Sequence, residues 1–206
     1  MIAETDLPKI SDNQEKAKNY RFNMMRFQKA KKEGFYLEAT WILYAMLEDR
    51  LSSLLYHLGV TAEDNRIKIT HSDAIKQQLR VIFEMKENEQ YKLDEFSAKT
   101  KRLRQILSWA VSDDGPFDRY SKSLRKKILS LHDQRKLLSV TLDFLDNHWR
   151  LLRNQLMHAL MMKNFEGAYS ALKELCEDGY SAFRSLDNAV DKIQKGEQLR
   201  KCFRIR

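Results

Sequence analysis

Residues 41–59 read WILYAMLEDRLSSLLYHLG, and this stretch decides the fold. Together with the residues just before it, the stretch predicts a helix from Tyr36 to Leu58. Gly59 follows as the stop, because glycine readily adopts the backbone conformation that ends a helix. Apolar side chains cover most of the circumference of this helix. A helix of that kind lies at the centre of a bundle, with other helices around it.

The rest of the chain also favours helices. It has only six glycines and two prolines, and 43% of its residues are hydrophobic. So few helix-breaking residues favour long helices over many short strands. We therefore predict an all-α fold, an antiparallel helical bundle with additional helices. The further helices are predicted at 16–32, at 73–111 as one helix or two with a polar break at 86–95, at 117–131, at 133–162 with Asp133 as N-cap, and at 168–194, with turns at 112–116 and 163–167.

We expect one domain, over residues 16–198, between a flexible lead-in at 1–15 and a basic tail at 199–206. Cys176 and Cys202 have no metal-ligand spacing around them, which is typical of a reducing cytosol. The N-terminus is acidic, and no apolar run is long enough to span a bilayer. A cytoplasmic protein without membrane contact is expected. Motifs for a metal, a nucleotide or another cofactor are absent, so none is expected.

The formal net charge is +8. A basic chain favours an acidic partner, of which RNA or DNA is the commonest, although surplus surface lysine has the same effect. The basic helix at 16–32 and a second basic cluster are candidates for guiding RNA electrostatically. Each is also interpreted as a solvated helix face, which is the more ordinary role of such a charge cluster. The second cluster consists of Lys122, Arg125, Lys126 and Lys127.

The best functional clue is the hexapeptide Arg153-Asn154-Gln155-Leu156-Met157-His158. An arginine separated from a histidine by four to six intervening residues is not rare here, because four of the five histidines have one. Context separates them, since only Arg153 is followed by asparagine, and it lies late in the chain in an apolar helix before a turn and a closing helix. The other pairs are Arg50 with His57, Arg66 with His71, and Arg125 with His132.

This motif and its setting, from about Val140 to Val190, resemble the HEPN family, and the helix at 36–58 fits the same bundle. The resemblance implies a HEPN-like homodimer in which the motifs of two protomers meet. It also implies a metal-independent endoribonuclease with a role in phage defence or as a toxin. Some family toxins carry a tyrosine three residues after the motif histidine, where a partner nucleotidyltransferase modifies them. Met161 stands at that position here, which disfavours that route but leaves other antitoxin partners open.

The motif residues suit RNA cleavage without a metal. Histidine has an ordinary pKa of about 6.5, which makes His158 the candidate for proton transfer at the ribose 2′-OH. The planar charged fork of Arg153 suits a phosphate and its transition state. Asn154 would orient the 2′-OH, a phosphate oxygen or the histidine ring. The products would be a 2′,3′-cyclic phosphate and a 5′-hydroxyl, and DNA would be spared because it lacks the 2′-OH.

In one continuous helix Arg153 lies about 140° around the axis from His158. Either the helix is distorted near Arg153, or a second protomer completes the site. Glu48 and Asp49, inside the central helix, are candidates for supporting acids that position Arg153 or His158. Their alternatives are a buried ion pair with Arg50 and plain exposure on that helix. Two other interpretations of the whole chain stay open: a non-catalytic dimeric module that binds RNA or a protein, and an unrelated helical scaffold.

Overall fold

The computed structural model describes residues 13–61, 73–86, 93–112, 118–159 and 165–203. Their regular elements are helices, as the sequence predicts, so the fold is all-α. The helices are α1 Asn13–Lys32, α2 Tyr36–Leu58, α3 Asp73–Ile82, α4 Phe96–Trp109, α5 Arg119–Leu129, α6 Asp133–Phe144, α7 Arg150–Ala159 and α8 Phe165–Phe203. None of the helices in these ranges combines the length and apolarity that a membrane crossing requires.

Helix α2 lies at the centre of the bundle, as predicted. It packs along α8 and also contacts α1 and α4, and its core side chains, such as Leu43, Leu47 and Leu51, are fully buried. The predicted bounds of α2 are confirmed. Gly59 ends the helix with a φ of 84°, and its N–H donates to the Tyr56 carbonyl. This left-handed conformation is the one that glycine adopts at little steric cost.

Helix α1 covers one side of α2 and α8. Phe27 is fully buried and stacks on Tyr180 of α8, with ring centroids 5.2 Å apart. The helix starts at Asn13, three residues before the predicted bound at residue 16. Its first turn thus includes part of the segment that was expected to be a flexible lead-in. Residues 1–12 lie outside the described ranges.

The predicted polar break within residues 73–111 is present, because α3 ends at Ile82 and α4 begins only at Phe96. The buried side chain of Arg102 secures this junction. Its Nη1 donates to the Phe83 carbonyl at 2.8 Å, so a carbonyl left free at the end of α3 has a partner. Residues 113–116 of the first predicted turn and residues 163–164 of the second lie outside the described ranges.

The predicted helix at 133–162 is continuous over the described residues 133–159 but not uniform. Helix α6 passes into a π-helical turn at Leu145–Trp149, which leads directly into α7. The predicted N-cap is wrong, since Asp133 is already the first helical residue. The cap position belongs to His132, whose φ is 48°. Residues 160–162 lie outside the described ranges.

Helix α8 is longer than predicted at both ends. It begins at Phe165 instead of 168 and continues to Phe203 instead of 194. The predicted turn at 163–167 is therefore wrong for its last three residues. Gly167 is helical because one glycine costs a helix only about 1 kcal/mol, and no proline interrupts the residues that follow. Most of the predicted inner-face residues are buried, namely Leu172, Leu175, Phe183, Leu186 and Val190, whereas Tyr180 is half-buried and Tyr169 is exposed.

Candidate functional site

The π-helical turn at Leu145–Trp149 sets the orientation of the helix that carries the motif. A π turn contains one more residue than an α turn, so it rotates all the side chains that follow it. Trp149 closes the turn and is fully buried. Its indole Nε1 donates to the Leu175 carbonyl at 2.8 Å, and its ring lies nearly parallel to that of Tyr44, with centroids 6.4 Å apart. The motif helix is thereby anchored to both α8 and α2.

Arg153 is half-buried and held in one orientation. The centre of its guanidinium, Cζ, lies 4.0 Å from the centroid of the Tyr44 ring and 5.9 Å from that of Trp41. Its Nε and Nη2 both donate to Oδ1 of Asn154, at 3.2 and 2.6 Å. A side-chain hydrogen bond also joins the Arg153 guanidinium and the Tyr44 phenol. Asn154 therefore orients the guanidinium by hydrogen bonds, and the Tyr44 ring packs against one of its faces.

Tyr44 has a perturbed electrostatic environment. Burial raises the pKa of its phenol, and the Glu48 carboxylate raises it further, whereas the nearby Arg153 and Arg150 guanidinium groups lower it. The net pKa is above the ordinary value of 10.0. The phenol therefore remains protonated at neutral pH and is a hydroxyl group, not a base, beside Arg153.

His158 lies on a different side of α7. The helix is regular from Arg150 to Ala159, so its five-residue offset leaves His158 about 140° around the axis from Arg153. His158 is exposed, whereas Leu156 is buried and Met157 is half-buried against the core. One protomer thus does not bring the two motif groups to the same point. The helix is distorted before Arg153, at the π turn Leu145–Trp149, and not between Arg153 and His158. The distortion therefore does not bring these two side chains closer together.

The acids Glu48 and Asp49 have partners other than the motif residues. The Glu48 carboxylate pairs with the buried Lys99 ammonium at 2.9 Å. Asp49 pairs with Arg50 at 2.8 Å, which is the alternative interpretation of this residue, and with Lys16 at 3.1 Å. Within the described residues neither acid makes a hydrogen bond or ion pair with Arg153 or His158. Glu48 and Arg153 are both close enough to Tyr44 to change the pKa of its phenol, which Glu48 raises and Arg153 lowers.

The basic cluster at 122–127 divides into two pairs. Arg125 donates from Nε and Nη2 to the carbonyls of Ala110 and Ser112, at 3.0 and 2.8 Å, at the C-terminal end of α4. Lys127 donates to the His57 carbonyl at 2.7 Å, at the end of α2. Cations at these positions satisfy free carbonyls and interact favourably with the partial negative charge at the end of the helix. Lys122 and Lys126 are exposed, so only this second pair fits the predicted solvated basic face.

Three residues that the sequence analysis did not select border Arg153. Trp41 and Tyr44 lie three positions apart on α2, a spacing that places them on one side of a helix. Arg150 lies one turn before Arg153 and pairs with Asp146 at 3.5 Å. Helical spacing alone predicts that Trp41 lies beside Tyr44, and that Arg150 lies beside Arg153. It does not predict that the two pairs meet, because this depends on the packing of α2 beside α7. Among the described residues, no group of three or more His, Cys, Asp or Glu side chains is arranged to hold a metal ion.

No family model, curated protein or solved structure matches this chain.

Proposed function

We propose that this protein is a metal-independent endoribonuclease of the HEPN type that acts as a homodimer. The fixed orientation of Arg153 carries the proposal. Its guanidinium lies against the Tyr44 ring and donates two hydrogen bonds to Oδ1 of Asn154. A planar cation in a single orientation suits a phosphodiester, because a pre-oriented group loses little freedom when it binds. The Arg-Asn pair is also part of the motif on which the resemblance to the family depends.

The chemistry requires a base as well as the cation. In the proposed reaction, His158 of the partner subunit takes the proton of the ribose 2′-OH, and the 2′-oxygen then attacks phosphorus. Arg153 stabilises the negative charge that develops on the non-bridging oxygens. The bond to the 5′-oxygen breaks, and the imidazolium returns the proton to this leaving group. The products are a 2′,3′-cyclic phosphate and a 5′-hydroxyl.

The surface around His158 supports a two-fold contact. Leu151 lies seven residues before His158, on the same outward face of α7, and both are exposed. The same helical run also exposes Leu137 and Val140 on α6. Exposed aliphatic side chains beside a polar group are typical of contact surfaces. A symmetric contact on this face uses the same residues from both protomers.

The test is cleavage of a mixed RNA substrate in EDTA by the wild type, Arg153→Ala and His158→Ala. We expect the wild type to release cyclic phosphates and each variant to lose at least about 100-fold in rate, the usual minimum effect of removing such a group. The control is His148→Ala, which removes another exposed histidine of the same helical run. An inert wild type, or variants that cleave normally, would refute the catalytic assignment. The non-catalytic binding module would then be the better description.

A mixing experiment tests whether the site is shared between protomers. Arg153→Ala and His158→Ala protomers are combined, and random assortment makes roughly half of the dimers mixed. A shared site predicts one intact Arg153–His158 pair in each mixed dimer, and so about a quarter of wild-type activity. A site within one protomer predicts no recovery, because each protomer then lacks one of the two groups.

A further inference from the structure

Trp41 is exposed although it belongs to the central helix of the bundle. Its side chain is 56% exposed, whereas Thr40 before it and Leu43 after it are fully buried. The chain's other described tryptophans are half-buried Trp109 and buried Trp149. An indole contributes most to stability when it is buried, so the outward position of Trp41 does not serve the core. The surroundings of this ring indicate what it is available to bind.

Trp41 borders the cation of the proposed site. Its ring centroid lies 5.9 Å from Cζ of Arg153, whose guanidinium lies on Tyr44. The carboxylates on the same side of α2 are neutralised, because Glu38 pairs with Arg26 at 2.8 Å and Glu48 pairs with Lys99. An exposed aromatic ring beside a cation, with the nearby acids paired, matches the surfaces on which single-stranded nucleic acids bind.

We propose that Trp41 stacks a nucleobase of the nucleotide whose phosphate binds Arg153, and that the substrate is therefore unpaired RNA. This inference rests on the proposed function of Arg153. A base has an accessible face for stacking only where the strand is single, as in a loop or at an end. Duplex RNA presents its phosphates but not its base faces, so it would reach Arg153 without the contact to Trp41.

Binding is measured by the anisotropy of a fluorescein-labelled 2′-O-methyl oligoribonucleotide, which lacks the free 2′-OH and cannot be cleaved by the proposed reaction. We expect Trp41→Ala to raise Kd by about tenfold to a hundredfold, the usual cost of losing one stacked base. Trp41→Phe keeps an aromatic face and should stay within about threefold of wild type. Phe35→Ala is the matched control, because this aromatic residue is also exposed, at 57%, and directly precedes α2. The duplex form should bind more weakly and should not respond to Trp41→Ala.

Tryptophan emission gives an independent readout. The difference between the wild type and Trp41→Phe isolates the Trp41 signal, and we expect the single-stranded oligonucleotide to quench it. The inference is refuted, and the proposed function kept, if Arg153→Ala weakens binding while Trp41→Ala binds as the wild type does. If neither variant changes binding, both are refuted, and a protein contact becomes the better role for this surface. If Trp41 governs binding but RNA is never cleaved, the stacking inference is supported and only the catalytic assignment fails.

Discussion

Replacing Gly179 with alanine should destabilise the protein strongly, although alanine is the better helix former. Gly179 is buried within α8, where a Cβ atom would lie 2.5 Å from Nε1 of Trp149 and 2.8 Å from Cδ2 of Leu43. Neither neighbour is the flexible end of a long side chain. The Trp149 ring must move, and the hydrogen bond from its Nε1 to the Leu175 carbonyl must lengthen or break.

The change in the free energy of unfolding follows from two destabilising contributions and one stabilising contribution. Overpacking a core costs about 1–3 kcal/mol, and leaving a buried donor unsatisfied costs about 1–3 kcal/mol. The helix propensity of alanine returns about 1 kcal/mol. The net loss is about 3 kcal/mol, which lowers Tm by roughly 6–12 °C in a chain of this size.

Denaturant and thermal unfolding, followed by circular dichroism, measure this loss. Gly196→Ala is the matched control in the same helix, because nothing lies within 4 Å of its added Cβ. That variant should be as stable as the wild type or more stable by up to about 1 kcal/mol. Equal stability of Gly179→Ala and Gly196→Ala would show that Trp149 and α8 do not approach each other as closely as described.

Three further predictions concern stability and thiol chemistry. Hydrogen bonds from the Ser121 N–H and from Gln78 outweigh partial desolvation and lower the pKa of Asp118, the N-cap of α5. The ionised Asp118 carboxylate therefore stabilises the folded protein above the unfolded pKa of about 3.9, and this stabilisation is lost as the pH falls through the lower folded pKa. Asp118→Asn should keep the cap and abolish that part of the acid dependence in unfolding titrations, whereas Asp118→Ala should cost about 1 kcal/mol at neutral pH. Lys127→Ala should cost about 1 kcal/mol because it frees a helix-end carbonyl, whereas Lys126→Ala should be neutral in the same denaturant titration. Burial raises the pKa of the Cys176 thiol to about 11, so in a Cys202→Ser background a thiol reagent should label the protein only after unfolding, and rapid labelling of the native protein would contradict this.

A helix could be predicted well where its sequence carries a clear local signal. Helix α2 has an apolar sequence and a terminating glycine, and its bounds were predicted correctly. The predicted start of helix α8 is three residues too late because Gly167 was interpreted as a break, and a single glycine does not end a helix that packing supports. The sequence also did not reveal that His132 occupies the cap position before α6. His132 has a positive φ, and a non-glycine residue there depends on its tertiary surroundings more than on its own preference.

The surroundings of Arg153 could be predicted only where its contacts are to neighbours in the sequence. Arg153 and Asn154 were selected together, and they are hydrogen-bonded to each other. Tyr44 and Trp41 were missed because their contact with Arg153 joins two helices that are distant along the chain. The roles of Arg125 and Lys127 were missed for the same reason. A basic sequence does not reveal whether its cations face solvent or the carbonyl end of another helix.

Trp149 connects the stability of this protein with the geometry of the proposed site. It ends the π turn before α7, is anchored to α8 by its indole N–H, and lies parallel to Tyr44, on which Arg153 rests. A change that displaces this ring therefore alters the support of Arg153 without touching any residue that would bind RNA. Gly179→Ala should accordingly weaken oligonucleotide binding even at temperatures where it remains folded. Such a defect would reflect the position of Trp149, and it would not place Gly179 in the binding surface.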